Sequence, residues 1–241
     1  MIPRYAIIVA GGSGTRMGTD IPKQFLDLDG KSILRRSIER FTEALEGVHI
    51  ITVLPKEHID LWKVRCLQDN FIVPQILVAG GITRFHSVKN ALAKVPDHAV
   101  VGIHDGVRPF VSTALIRRMY DQVSGGCPAL IPVLPCTDTL KALQRVTGED
   151  GVSRLETIPG IEPDRSILFG AQTPQVFRAD VLKAAYSQPF STAFTDDASV
   201  VSRNGTPLAY IDGERLNLKI TTPDDLILAR GILEQSENQP I

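Results

Sequence analysis

The sequence predicts an α/β protein of three layers, α/β/α, built on an open, mostly parallel, twisted sheet with a protruding extended arm. Three observations predict it. Continuous apolar runs rich in β-branched residues recur at 5–10, 48–54, 76–79, 99–104 and 129–134, as strands buried on both faces do. Segments with helical apolar spacing lie between them. The alternation then stops at a long polar stretch, 137–165, without apolar periodicity.

The first run, Tyr5-Ala-Ile-Ile-Val-Ala10, opens the sheet and ends in glycines. Ser32 is placed to cap a helix whose apolar positions are Ile33, Leu34, Ile38, Phe41 and Leu45. Trp62, in a segment of mixed charge, reads as ordinary packing. Ser87, Val88, Ala91, Leu92 and Val95 mark a second helix, and Leu115, Ile116, Met119 and Val123 a third. His104 ends a strand and reads as a packed residue rather than a catalyst. Beyond Cys136, Gly148, Gly151, Pro159, Gly160 and Pro163 break up a stretch too long for an ordinary loop, hence the arm at about 137–165. Order returns at 166–170 and in a helix at 179–186. Thr222 as cap, Pro223 in the first turn, and Asp224 and Asp225 near the positive end signal a last helix. Residues 237–241 read as a frayed tail. The chain 1–241 thus reads as one Rossmann-like domain, and ligands of such sheets bind beyond the carboxyl ends of the strands.

With 43% hydrophobic and 22% charged residues over 241 positions, collagen-like, coiled-coil and wholly disordered classes are excluded. Lys plus Arg is 26 and Asp plus Glu is 27, a net charge of −1, so no global positive field awaits a nucleic acid. Cys66, Cys127 and Cys136 are widely spaced without C-x-x-C, against a disulfide framework or a thiolate zinc site. No run approaches the ~20 apolar residues of a membrane span, and 6–10 is too short for a signal-peptide core. The expectation is a cytoplasmic protein that binds neither nucleic acid nor membrane.

The most informative segment is Ala10-Gly-Gly-Ser-Gly-Thr-Arg-Met-Gly18, followed by Pro22-Lys23-Gln24. Glycines directly after a strand let backbone N–H groups close around phosphates. Arg16 and Lys23 add two cations, as a nucleoside triphosphate requires. A dinucleotide fingerprint fails at Met17, which stands where a third glycine is needed. Gly30-Lys31-Ser32 imitates a P-loop, but Phe25 occupies its first glycine position.

G-G-S-G-T-R-M-G with P-K-Q resembles the signature of the sugar-nucleotide-type nucleotidyltransferases, and among them the 2-C-methyl-D-erythritol 4-phosphate cytidylyltransferase family of the non-mevalonate isoprenoid route. Further segments follow in the family's order. They are Gly80-Gly-Ile-Thr-Arg84 through Ser87-Val88, Ile103-His-Asp-Gly-Val-Arg-Pro109, Asp138-Thr-Leu-Lys141 and Asp164-Arg-Ser166. Gln172-Thr-Pro-Gln175, Thr195-Asp-Asp-Ala-Ser199 and Asn217-Leu-Lys-Ile-Thr-Thr-Pro223 complete the set. Ile82 departs from the family's usual acidic residue, and Gly106-Val107 replace an alanine pair.

The resemblance implies transfer of CMP from CTP to methylerythritol phosphate, with Arg16, Lys23 and Lys219 as catalytic cations and Mg²⁺ on the triphosphate. It implies nucleotide contacts from Ala10, Gly11, Gly12, Ser13, Gly14, Gly81, Arg84, Ser87, Asp105 and Gly106. Asp105 neighbours the metal or the ribose, its alternative role being a strand-end turn cap. Arg108, Thr139, Arg165 and Thr195 surround the methylerythritol phosphate. On its own residues Arg165 reads better as an ion pair with Asp164, Thr195 reads as well as a helix cap, and Thr173 reads as the holder of a Thr-Pro turn. The resemblance also implies a homodimer embracing through the arm. Ribitol-5-phosphate cytidylyltransferase activity, and nucleotide binding without turnover, are the alternatives.

Overall fold

The structure, a computed structural model, describes residues 2–12 and 21–238. Along the chain run β1 (Arg4–Val9), the short β2 (Asp27–Leu28) and β3 (Lys31–Ser32), α1 (Ile33–Ala44), β4 (His49–Leu54), α2 (Ile59–Gln68), β5 (Gln75–Ala79), α3 (Arg84–Leu92), β6 (Val100–Asp105), α4 (Thr113–Ser124) and β7 (Ala129–Pro135). Then come β8 (Leu143–Thr147), β9 (Ser153–Thr157), β10 (Phe169–Ala171), β11 (Gln175–Arg178), α5 (Ala179–Tyr186), α6 (Asp197–Arg203), β12 (Ala209–Asp212) and α7 (Pro223–Asn238).

β1 lies between β4 and β6, parallel to both, with Ile7 opposite Ile51 on one side and Ile103 on the other. Its continuous apolar run follows from burial on both faces. Ala6 and Ile8 point into a core shared with α1, α2 and α4, and Ile7 into one shared with α3, α5 and α6. The layers are thus helices, sheet, helices. β5 continues the sheet beyond β4, and β11 beyond β6 leads to β7.

The expected strands and helices are present, and the capping residues act as read. The Ser32 hydroxyl accepts from the Arg35 N–H at 3.3 Å, and Thr222 from the Asp225 N–H at 3.4 Å. Three features differ from the sequence reading. β11 enters antiparallel between β6 and β7. α2, unread in the sequence, presents only Trp62 as a buried residue, so it lacks a periodic stripe. The last helix runs to Asn238, through the first part of the expected tail. The arm contains β8 and β9, an antiparallel ribbon whose residues are exposed apart from the partly buried Val146. With both faces in water it shows no alternation. Gly151 turns the ribbon at φ +73°, a conformation that suits glycine.

Candidate active site

β1 and β6 end side by side, and the loop after β5 closes over them. The cleft between measures about 350 Å³ and is walled by Gly11, Gly12, Gly81, Arg84, Asp105 and Lys219, with Lys23 at its base. A larger apolar groove of about 990 Å³ runs beside it along β7, β10, β12 and α6, without a cationic side chain in its lining. The cleft is therefore the place for an anion.

Three polar centres organise it. The first is Asp105, at the carboxyl end of β6. Its Oδ2 lies 2.9 Å from Lys219 Nζ and 3.3 Å from Arg108 Nε. Burial alone would raise this carboxyl, but Lys219, Arg84 and Arg108 outweigh it and hold it well below the usual carboxylate range. Arg108 also donates from Nη1 to the Asn217 carbonyl at 2.8 Å. The second centre is Lys23, in a 3₁₀ turn over Lys23–Phe25. It is buried, and Nζ donates to the Ile220 carbonyl at 3.3 Å. The third is Arg84, whose Nη2 meets Asp197 Oδ2 at 2.6 Å. Burial opposes the Arg84 charge, and Asp197 overrides it.

Backbone closes the rest. Ala10 donates to Val53 and accepts from Gln24 Nε2 at 2.9 Å, which fixes the start of the glycine wall. A Cβ on Gly12 would lie 3.6 Å from Lys23 Cε. At Gly81 a Cβ would fall 2.4 Å from the His86 Cβ, so no side chain fits there. Ser87 uses its hydroxyl as a brace, accepting from the Gly81 N–H at 3.0 Å and donating to the Thr83 carbonyl at 2.9 Å. Gly106 faces the interior, with its N–H on the Val9 carbonyl and its carbonyl on Ser37. Ile82 is exposed at the rim.

Ser13, Gly14 and Arg16 lie outside the described residues. Thr139 and Arg165 are exposed at the root of the ribbon. Arg165 donates to the Thr137 carbonyl at 3.2 Å, and Asp164 instead accepts from the Ser166 N–H at 2.9 Å, so the expected Asp164–Arg165 ion pair does not form. Thr195 is exposed, and Asp196 rather than Thr195 caps α6, in a reciprocal arrangement with Ser199. His104 is wholly buried, and burial pushes its ring down to about 4, in keeping with a packed residue. Thr173 does more than hold a turn: its hydroxyl accepts from the Asp105 N–H at 3.1 Å.

Sequence reasoning missed the roles of Asp197 and of Gln24, which holds the Ala10 carbonyl. Asp197 is wholly buried, bound by Arg84 and by the Tyr186 hydroxyl at 2.6 Å. Two successive acids before the apolar Ala198 and Val200 were the available signal, since one of them must face inward.

Known proteins share this architecture. The 4-diphosphocytidyl-2C-methyl-D-erythritol synthase of Anaerococcus prevotii superposes with a TM-score of 0.75 at 26% identity, covering 97% of this chain and 99% of that one. The 2-C-methyl-D-erythritol 4-phosphate cytidylyltransferase of Thermus thermophilus gives 0.69 at 27% identity, over 97% and 100%. Relatives of that same name from Bacteroides fragilis and Phocaeicola vulgatus are 47% and 44% identical, each over 95% of this chain and 99% of the relative. Fold and cleft define a nucleotidyltransferase. The family model for 2-C-methyl-D-erythritol 4-phosphate cytidylyltransferase matches residues 5–235, and the chain belongs to that family.

Proposed function

We propose that the chain transfers the cytidylyl group of CTP to the phosphate of 2-C-methyl-D-erythritol 4-phosphate, with release of pyrophosphate. The observation that carries this reading is the family match over residues 5–235, joined to a cleft with Lys23, Lys219 and Asp105 at the strand ends.

A phosphate monoester is largely ionised near pH 7, so its oxygen needs no general base. That oxygen forms a bond to the α-phosphorus of CTP. The bond from the α-phosphorus to the bridging oxygen breaks, and its electron pair leaves with pyrophosphate. The obstacle is the approach of two anions, so positioning and fixed charge dominate. Lys23, Lys219 and Arg16 oppose the charge of the transition state. Asp105 orients Lys219 and Arg108 through one oxygen. The glycine walls around Gly11 and Gly81 admit the nucleotide.

Among the described residues no group of three metal-ligating side chains exists. One carboxylate at the cleft suits Mg²⁺ held chiefly by nucleotide and water. Asp105 would hold it, and when bound it would neutralise triphosphate charge.

Arg108, Thr139, Arg165 and Thr195 are assigned to methylerythritol phosphate. A homodimer accounts for the distance of Thr139 and Arg165 from the cleft. The ribbon, with Leu143, Val152 and Leu155 exposed around it, is too slight to stand alone. A cytoplasmic location suits three free cysteines. No helix among the described residues is long and apolar enough to cross a membrane.

The test is pyrophosphate release from CTP in the presence of methylerythritol phosphate or ribitol 5-phosphate. Rapid release with the first supports the reading. Release with ribitol 5-phosphate alone moves the substrate, and none with either leaves a nucleotide-binding protein. UTP, ATP and GTP should be used poorly.

A further inference from the structure

A hydrogen-bond chain runs beneath the cleft. The Arg108 carbonyl can only accept, so His104 Nε2, 3.0 Å away, donates to it. The ring is wholly buried, with Nδ1 3.1 Å from Thr173 Oγ1. A backbone N–H can only donate, so that same oxygen accepts from the Asp105 N–H through a lone pair. The Arg108 N–H in turn donates to the Asp105 carbonyl at 3.0 Å, which closes the circuit around the turn that follows β6.

Thr173 also joins this turn to the segment bearing Lys219. Its carbonyl accepts from Asn217 Nδ2 at 2.8 Å, and the Asn217 carbonyl accepts from Arg108 Nη1 at 2.8 Å. Thr173 is 6% exposed and Asn217 wholly buried, so water does not replace these bonds. Three stretches of chain thus meet on one threonine: the end of β6, the junction of β10 and β11, and the approach to α7.

We propose that Thr173 is a positioning residue for the transfer reaction, its hydroxyl fixing the Asp105 backbone and so the point where the Asp105 carboxylate holds Lys219 and Arg108. This rests on the reading of Asp105, Lys219 and Arg108 as the phosphate end of the site. Thr173 touches no substrate. It acts through Asp105, on the transfer step rather than on the glycine walls around Gly11 and Gly81.

The experiment compares Thr173→Val, which keeps the shape and removes the hydroxyl, with Thr173→Ser, which keeps the hydroxyl and removes a methyl. Displacement of reacting groups by a fraction of an ångström lowers kcat by roughly 10–100-fold in the valine variant, with KM for CTP within about 3-fold of the parent. The serine variant stays within about 3-fold in kcat. A valine variant with parental kcat, or a serine variant that falls as far as valine, overturns the proposal. Should the valine variant not fold, Thr173→Ala takes its place and is read by the same two constants. Failure of the functional reading is distinguishable, because the unmodified protein would then release no pyrophosphate.

Discussion

Arg84 and Asp197 meet at 2.6 Å and tie the first residue of α3 to the first residue of α6. Asp197 is wholly buried, whereas the Arg84 side chain is 32% exposed. Asp197→Ala should lower unfolding free energy by about 2–3 kcal/mol. That is below the ~3–5 kcal/mol typical of a broken buried pair, because Arg84 regains water. Tyr186→Phe should cost about 1 kcal/mol through its single hydrogen bond. Urea unfolding measures both, and a neutral Asp197→Ala would show that the pair is not structural.

Lys23 is a buried lysine at the base of the cleft. Lys23→Ala should lower kcat by roughly 100-fold or more and raise KM for CTP by less than about 10-fold, since charge grows on the way to the transition state. Steady-state kinetics of folded protein decides. An unchanged kcat with only a higher KM would assign Lys23 to ground-state binding.

His104 gives the fold an acid sensitivity. Its ring titrates near 4 in the folded chain and near its ordinary 6.5 when unfolded, burial being the main cause. Between those values the unfolded chain binds the extra proton, so stability is full above about 6.5 and declines as pH falls towards 4. The gap between the two values corresponds to roughly 3 kcal/mol at most. Asp105 adds little in this window, because its depressed carboxyl gives up most of its stability below its ordinary 3.8. Unfolding free energies from pH 8 to pH 4 should slope less in His104→Asn, by up to one proton. Equal slopes would show that His104 is not the titrating group.

Arg165 lies outside the described cleft lining, at the root of the ribbon. Lys23→Ala and Arg165→Ala subunits, each inactive, should regain partial activity when mixed and allowed to exchange. Demonstrated heterodimers without recovery would keep Arg165 in its own subunit's site, and a fully active monomer would remove the shared site altogether.

Local signals were readable in the sequence. Ser32 and Thr222 stand where caps must stand, and the run from Tyr5 to Ala10 is apolar because β1 is covered on both faces. α2 was hidden because Leu61, Val64 and Leu67 are 39%, 49% and 82% exposed, leaving Trp62 as its one buried residue, with Ile59 and Cys66 only partly buried against the core. β11 was hidden because four residues carry too short a pattern. In the site, glycines and Lys23 are near neighbours in sequence and announce themselves. Arg84 and Asp197 lie 113 residues apart, so nothing local marks them as partners. Thr173 and His104 were likewise visible as residues, but their bond arises only when β6 and β11 pair.

The hydrogen bond from Lys23 to Ile220 spans 197 residues of sequence. A ribosome adding roughly 5–20 residues per second separates the synthesis of the two by about 10–40 s. Throughout that interval the nascent chain has its glycine wall and, once β6 emerges, the Asp105 carboxylate, but not Lys219 to pair with it. Products of premature termination before residue 219 therefore lack one of the cleft's two lysines and the partner of Asp105. A complete cleft exists only in molecules translated past that second lysine, so the layout itself screens out unfinished chains.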